Sequence, residues 1–210
     1  MEGDLYTNSS RVSGRRGAAF VWLGVALALC LLLAAGCGLE TDEANQFLQK
    51  ANAHQQEAEA VIARLKVLPN DWQNIFSGAT IGPAQVANAQ GLINARKADI
   101  EALDTALKNW SLDTKAISKL NVKEKVKEYV TLKSASIKQW QEYSEMYLGP
   151  LVKAYGGLLD TIALGRPLTE QQKAAADITN LVGESTQKLE ECLSSEKQAD
   201  NYFKTNKLGN

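Results

Sequence analysis

The sequence predicts an all-α protein, folded as an antiparallel up-down-up-down bundle of four helices with a long, kinked third helix. Apolar residues recur at alternating spacings of four and three along four long segments, which is the repeat of packed helices. The four prolines, at positions 69, 83, 150 and 167, divide the chain into long segments that are otherwise free to be helical. No run alternates between apolar and polar residues for long enough to predict a strand.

The first two segments each carry one apolar stripe. The first runs from about residue 42 to 66, and Thr41 or Asp42 is suited to cap its start. The second begins near Pro83, because proline is favoured in the first turn of a helix. The stripes are Ala44, Leu48, Ala51, Ala58, Ile62 and Leu65 in the first segment, and Val86, Ala89, Ile93, Ile100, Leu103, Leu107 and Trp110 in the second.

The third segment runs from about residue 122 to 164, and its stripe continues through Pro150. That continuity predicts a kinked helix rather than two unrelated ones. Two polar residues, Lys133 and Ser144, occupy positions of this stripe where an apolar residue is expected. Thr169 and Gln172 have the spacing of a capping box for the fourth segment. Its stripe is Ala175, Ile178, Val182, Ser185, Leu189, Cys192, Glu196, Ala199 and Phe203. Together the segments predict one bundle domain over residues 42–205.

The region before the bundle has the three parts of an export signal. Arg11, Arg15 and Arg16 precede an uncharged run over residues 18–35, which ends in small residues. The stretch Leu33-Ala34-Ala35-Gly36-Cys37 resembles a bacterial lipobox. That resemblance implies a signal peptide over residues 1–36 that is removed, and a lipidated N-terminus with a short linker over residues 37–41. It also implies diacylglycerol on the Cys37 sulfur and fatty acids such as palmitate in the anchor.

The same resemblance predicts where the protein is held. The bundle is expected at the extracytoplasmic face of the cell membrane, or at an outer membrane in a bacterium that has one. An uncleaved single-span anchor is the alternative, since the 18 residues from Ala18 to Ala35 span about 27 Å as a helix. Cys30 is a poorer lipidation candidate than Cys37, because the bulky Leu29 precedes it.

Composition narrows the classes of function. Without residues 1–36 the chain keeps 20 basic and 22 acidic residues, so no broad positive field favours nucleic acid. Of the three cysteines, Cys30 is lost with the leader and Cys37 is lipidated, which leaves Cys192 and excludes an internal disulfide. We therefore expect stability to come from apolar burial.

Two surfaces are candidates for contacts. If the bundle sits close to the lipid, Lys115, Lys119, Lys123 and Lys125 fall at its membrane-proximal end and are candidates for contact with an anionic leaflet. A solvated helix face is the alternative for this mixed charge run. At the distal end, Trp72, Ile75, Phe76 and Tyr155 either contact a partner or pack on each other as a cap.

The residues that usually carry chemistry are sparse. His54, with Glu57 one turn later, lacks the further ligands of a metal site, and Cys192 lies on an apolar stripe with no activating partner in view. We therefore predict no enzyme activity, no cofactor and no metal.

The predicted function is binding or scaffolding at the bacterial cell envelope. The partners would be the membrane, through the lipid on Cys37, and an envelope protein or cell-wall component. In architecture the chain is similar to small helical lipoproteins of Gram-positive bacteria described as cell-wall-binding. The alternative is a carrier that holds a lipid or another apolar ligand in the bundle core, which would need a sizeable apolar cavity.

Overall fold

The computed structural model describes residues 40–77 and 81–208, and all regular structure within these ranges is helical. The prediction of an all-α chain with four long helical segments is confirmed for this part of the sequence. The elements are α1 (Thr41–Lys66), α2 (Leu68–Ile75), α3 (Pro83–Ile117), α4 (Glu124–Tyr143), a π-helical turn (Ser144–Leu148), α5 (Gly149–Ala163) and α6 (Leu168–Thr205). Among the described helices, none is both long enough and apolar enough to cross a bilayer.

The third segment stays helical across Pro150 because one of its turns is widened. Gly149 donates its N–H to the carbonyl of Ser144, five residues earlier. Proline has no N–H to donate, and its ring would collide with the carbonyl four residues before it in a regular α-helix. A π-helical turn makes room for that ring without ending the helix. A Cβ atom at Gly149 would lie 3.4 Å from the Ser144 carbonyl oxygen, so the turn is closely packed on this side.

Both predicted N-terminal caps were wrong. The residue before α1 is Glu40, and no side chain caps that helix; the Glu40 carboxylate instead accepts a hydrogen bond of 2.6 Å from the Asn121 N–H. At α6, Pro167 precedes the helix, so Thr169 lies inside the first turn. The Pro167 carbonyl accepts the N–H of Glu170 at 3.0 Å, which begins the helix without a capping box.

The connection predicted between the first two long helices contains the short helix α2. Pro69 lies in its first turn, where a missing N–H costs nothing, and Asp71 adds a negative charge to the same turn. Leu68 is fully buried and fixes the start of α2 to the bundle. Two of the predicted contact residues, Trp72 and Ile75, therefore lie on this short helix.

The buried apolar side chains form two clusters. The larger, which we call the main core, draws on α1 to α6 and includes Ala58, Leu65, Leu103, Trp110, Ile137, Trp140, Leu159 and Cys192. The smaller, the Glu40-end core, contains Ala44, Ile117, Val122, Val126, Tyr129, Val130 and Ala199, with Phe47, Leu48, Phe203 and Leu208 packed against it. Most of the predicted stripe positions lie in these cores, but Ala175 is exposed.

Candidate functional site

The start of α1 is tied to the connection between α3 and α4. Glu40 donates its N–H to the Asn121 carbonyl at 2.9 Å, and its carboxylate accepts the Asn121 N–H at 2.6 Å. The Glu40-end core lies beneath this pair and joins it to the last turns of α6. We call this region the Glu40 end. Cys37, the predicted lipidation site, lies outside the described residues.

The four lysines predicted to face a membrane are all at the Glu40 end. Lys115 is in the last turn of α3, Lys119 and Lys123 are in the connection, and Lys125 is in the first turn of α4. All four side chains are exposed. Nearby, the Glu124 carboxylate lies 3.7 Å from the Lys127 ammonium and offsets one further positive charge. The region is basic but of mixed charge, and its contact with lipid stays a prediction.

A small crevice opens beside the same lysines. It is lined by Thr41, Ala44, Asn45, Leu48, Val122, Lys123, Val126, Tyr129, Phe203 and Leu208. The rings of Tyr129 and Phe203 meet in its wall, with centroids 5.0 Å apart. The enclosed space is of the order of one water molecule, which is far too little for an acyl chain.

The aromatic residues predicted as a distal contact pack on one another. The Trp72 ring lies 4.8 Å from Phe76 and 4.9 Å from Tyr155, measured between centroids. Tyr155 is only 5% exposed, whereas Trp72, Ile75 and Phe76 are half-buried against the main core. We call these four residues the Trp72 cap. The burial of Tyr155 favours the interpretation as a cap, and leaves the outer faces of the other three for any contact.

An ionic network holds α2 against the long helices. Arg96 of α3 lies 2.9 Å from Asp71 of α2 and 2.7 Å from Asp99 of its own helix, and Arg64 of α1 lies 2.7 Å from Asp99. Burial alone would raise the pKa of Asp99, but the hydrogen bonds from Arg64 and Arg96 outweigh it and lower the pKa below its usual value. The network fixes the position of the Trp72 cap, because Asp71 precedes Trp72.

The structure also reveals a buried polar layer between α1, α4 and α6. Lys133 of α4 is 4% exposed, and its ammonium lies 2.9 Å from Asp200 Oδ1 and 3.7 Å from Glu196 Oε1. Gln55 of α1 donates a hydrogen bond to the same Glu196 carboxylate. The Lys133 ammonium also lies 5.4 Å from the Trp110 ring centroid, a cation–π distance. We call Gln55, Lys133, Glu196 and Asp200 the polar layer.

Glu196 is the unusual member of this layer. Burial raises its pKa, the Lys133 charge offsets that rise only in part, and the resulting pKa is about 7. The nearby Trp140 indole lowers the Glu196 pKa slightly. Its buried N–H does not meet the distance and angle of a hydrogen bond. Sequence analysis placed Lys133 and Glu196 at stripe positions, and a charge on an apolar stripe was the available signal for this layer.

The two residues considered for chemistry are in unreactive surroundings. His54 Nδ1 lies 3.0 Å from Glu57 and its Nε2 lies 3.5 Å from Asp113, so it joins α1 to α3 at the surface. Cys192 is completely buried, and burial raises its thiol pKa to about 12, which keeps it protonated and a poor nucleophile. Among the described residues, no group of His, Cys, Asp and Glu is arranged to hold a metal ion.

Comparison with protein-family models, with curated proteins and with solved structures found no match to this chain.

Proposed function

We propose that this protein is a lipid-anchored bundle at the extracytoplasmic face of the bacterial cell membrane, where it binds or scaffolds an envelope protein or a cell-wall component. The observation that carries the proposal is the lipobox-like stretch ending at Cys37, three residues before Glu40. The leader over residues 1–36 is the export signal, and the bundle after it binds the partner. Its activity is non-covalent binding.

The proposed bundle is antiparallel, and the contacts between its helices support that arrangement. His54 of α1 contacts Asp113 of α3, while Arg64 of α1 contacts Asp99. A residue later in α1 thus contacts a residue earlier in α3, so the two helices run in opposite directions. The same holds for α4 and α6, where Lys133 meets Asp200 and Tyr143 meets Ser185. The Glu40 end and the Trp72 cap are then opposite ends of one bundle.

This arrangement gives the anchor a defined orientation. Three extended residues reach about 10 Å, so a lipid on Cys37 enters the bilayer close to Glu40. Because Glu40 is hydrogen-bonded to Asn121, that short linker joins a fixed point of the bundle. The exposed Lys115, Lys119, Lys123 and Lys125 face the lipid headgroups, and the Trp72 cap points away toward the envelope.

Binding is preferred to ligand transport because of the core. A carrier of an apolar ligand needs a cavity of several hundred Å³. The crevice at the Glu40 end has room for about one water molecule. Side chains from every described helix fill the main core. The buried Cys192 thiol, with its pKa of about 12, gives no support to a nucleophilic enzyme.

The anchor is tested by labelling cells with an alkyne fatty acid and measuring the mass of the purified protein. We expect label on the native chain and a mature N-terminus at residue 37. Cys37→Ser should abolish both labelling and cleavage, while Cys30→Ser, the matched control in the leader, should change neither. A full-length, unlabelled chain in the membrane fraction would instead establish the uncleaved anchor.

The partner is tested with a photoreactive amino acid at an exposed position of α2. Gln73 is exposed beside Trp72, and Lys138 on α4 provides an exposed control away from the cap. We expect an envelope adduct from position 73 in intact cells and none from position 138. Equal adducts from both positions, or none from either, would contradict binding through the Trp72 cap.

A further inference from the structure

The polar layer lies at the boundary between the two apolar cores. On α4, Val130 belongs to the Glu40-end core and Ile137 to the main core, with Lys133 between them. On α6, Ala199 belongs to the Glu40-end core and Cys192 to the main core, with Glu196 between them. Both helices therefore change from apolar to charged side chains at one level of the bundle. Apolar packing between the two cores is weakest there.

The charge of this layer depends on one proton. Glu196 faces Gln55 and Glu59 of α1, Lys133 and Tyr129 of α4, and Asp200 of its own helix. Lys133 is closer to Asp200, at 2.9 Å, than to Glu196, at 3.7 Å. A protonated Glu196 thus leaves Lys133 and Asp200 as a balanced pair. An ionised Glu196 adds a negative charge that the single ammonium cannot offset.

We propose that the polar layer is a proton-operated joint, which keeps the Glu40 end packed on the main core while Glu196 is protonated and loosens the Glu40 end when Glu196 ionises. The cost of an ionised carboxylate without a full counter-charge is relieved if water reaches it. Asp200 is 25% exposed, so water has a short path to the layer.

When Glu196 ionises, the Glu40 end loosens and the main core stays packed. The Glu40-end core contains seven buried residues, whereas the main core is much larger and draws on helices α1 to α6. The pKa of Glu196, at about 7, sets the joint to respond near neutral pH. The joint depends on the described contacts alone and stands whether or not Cys37 is lipidated.

Hydrogen exchange of the full chain in detergent micelles tests the joint, read by mass spectrometry at pH 5.5 and pH 8.5. After correction for the intrinsic pH dependence of amide exchange, we expect about tenfold faster exchange at pH 8.5 in peptides from residues 41–48, 122–130 and 199–205. Peptides from residues 103–110 and 151–159, in the main core, should exchange equally at both pH values.

Two variants keep the test specific. Glu196→Gln is isosteric with the protonated side chain and should remove the pH dependence, while Glu190→Gln, an exposed control on the same helix, should keep it. Asp200→Asn removes a negative charge that raises the Glu196 pKa, so it should move the transition to lower pH. A pH-dependent change that persists in Glu196→Gln, or that spreads evenly over both cores, would overturn the proposal.

Discussion

The ammonium of Lys133 on α4 donates a hydrogen bond of 2.9 Å to the carboxylate of Asp200 on α6. This pair joins α4 to α6 at the level between the two apolar cores of the bundle. The Lys133 ammonium also lies 5.4 Å from the Trp110 ring centroid, so the ring interacts with the same charge. The pair is therefore placed to affect stability much more than an ion pair at the surface.

Replacing Lys133 should be strongly destabilising. Lys133→Met keeps most of the side-chain volume but leaves Glu196 and Asp200 without a counter-charge, and we expect a loss of about 3 kcal/mol in the free energy of unfolding at pH 8. Lys138→Met is the matched control, because Lys138 is 77% exposed beside Glu142. Its effect should stay within about 0.5 kcal/mol. Equal losses in the two variants, measured by urea titration, would contradict the buried pair.

The stability should fall as the pH rises toward neutral. Glu196 has a folded-state pKa of about 7, above its usual value of 4.5, so the folded chain binds this proton more tightly than the unfolded chain. Its stabilising contribution is complete below pH 4.5 and is lost as the pH rises through about 7. The loss is about 3 kcal/mol, and urea titrations at several pH values would measure it.

A second carboxyl group acts in a different pH range and with the opposite sign. The pKa of Asp99 is lowered from 3.8, so its contribution is present above that value and is lost as the pH falls through the folded-state pKa. The fall in the free energy of unfolding between pH 4.5 and 7 is therefore assigned to Glu196. Glu196→Gln should flatten it, and an unchanged slope in that variant would disprove the assignment.

The long helices could be predicted because the apolar period of each helix can be read from its own stretch of sequence. Ala44, Ala51 and Ala58, for example, are all buried where the stripe placed them. The uncapped start of α1 could not be predicted, because the Glu40 carboxylate accepts a hydrogen bond from Asn121, which is 81 positions away. Helix α2 was missed because its eight residues are too few to show an apolar period.

The polar layer was not predicted. The pattern showed Lys133 and Glu196 as charged residues on apolar stripes, but it did not show that they face each other. That pairing depends on the register of α4 against α6, which is set by packing over the whole length of both helices. A buried lysine and a buried glutamate on separate segments are a pair only when that register brings them to one level.

The Trp72 cap should respond unequally to alanine substitution. Tyr155→Ala removes a side chain that is 5% exposed, and we expect a loss of about 3 kcal/mol in the free energy of unfolding. Phe76→Ala removes a half-buried ring and should cost about half as much. If these rings only contact a partner, both variants would keep native stability in thermal and urea unfolding and lose only the crosslink from position 73.

Two glycines offer a matched test of backbone conformation. Gly165, after α5, has a φ of +61°, which an L-residue adopts at a cost, so Gly165→Ala should lower stability by about 1 kcal/mol. Gly183 lies inside α6 with open space where a Cβ would be, so Gly183→Ala should raise stability by up to about 1 kcal/mol. Thermal unfolding of both variants checks the signs, and the same sign in both would contradict this assignment of conformations.

Membrane contact at the Glu40 end should depend on where the lysines lie and not only on total charge. Changing Lys115, Lys119, Lys123 and Lys125 together to alanine removes positive charges worth up to about 1 kcal/mol each beside an anionic leaflet. We expect the leaderless, unlipidated protein (residues 38–210) carrying these four changes to bind anionic vesicles at least about tenfold more weakly at physiological salt than the same protein without them.

The control for that experiment removes the same charge from another part of the bundle. Lys97, Lys138, Lys153 and Lys173 are exposed and lie on α3, α4, α5 and α6, away from the connection between α3 and α4. Their replacement by alanine should weaken vesicle binding much less, because screening at physiological salt limits the attraction to about 8 Å. Cosedimentation with vesicles of rising anionic lipid content measures the difference. Equal weakening by the two sets would show that net charge alone drives the binding, and would remove the basis for a membrane-facing Glu40 end.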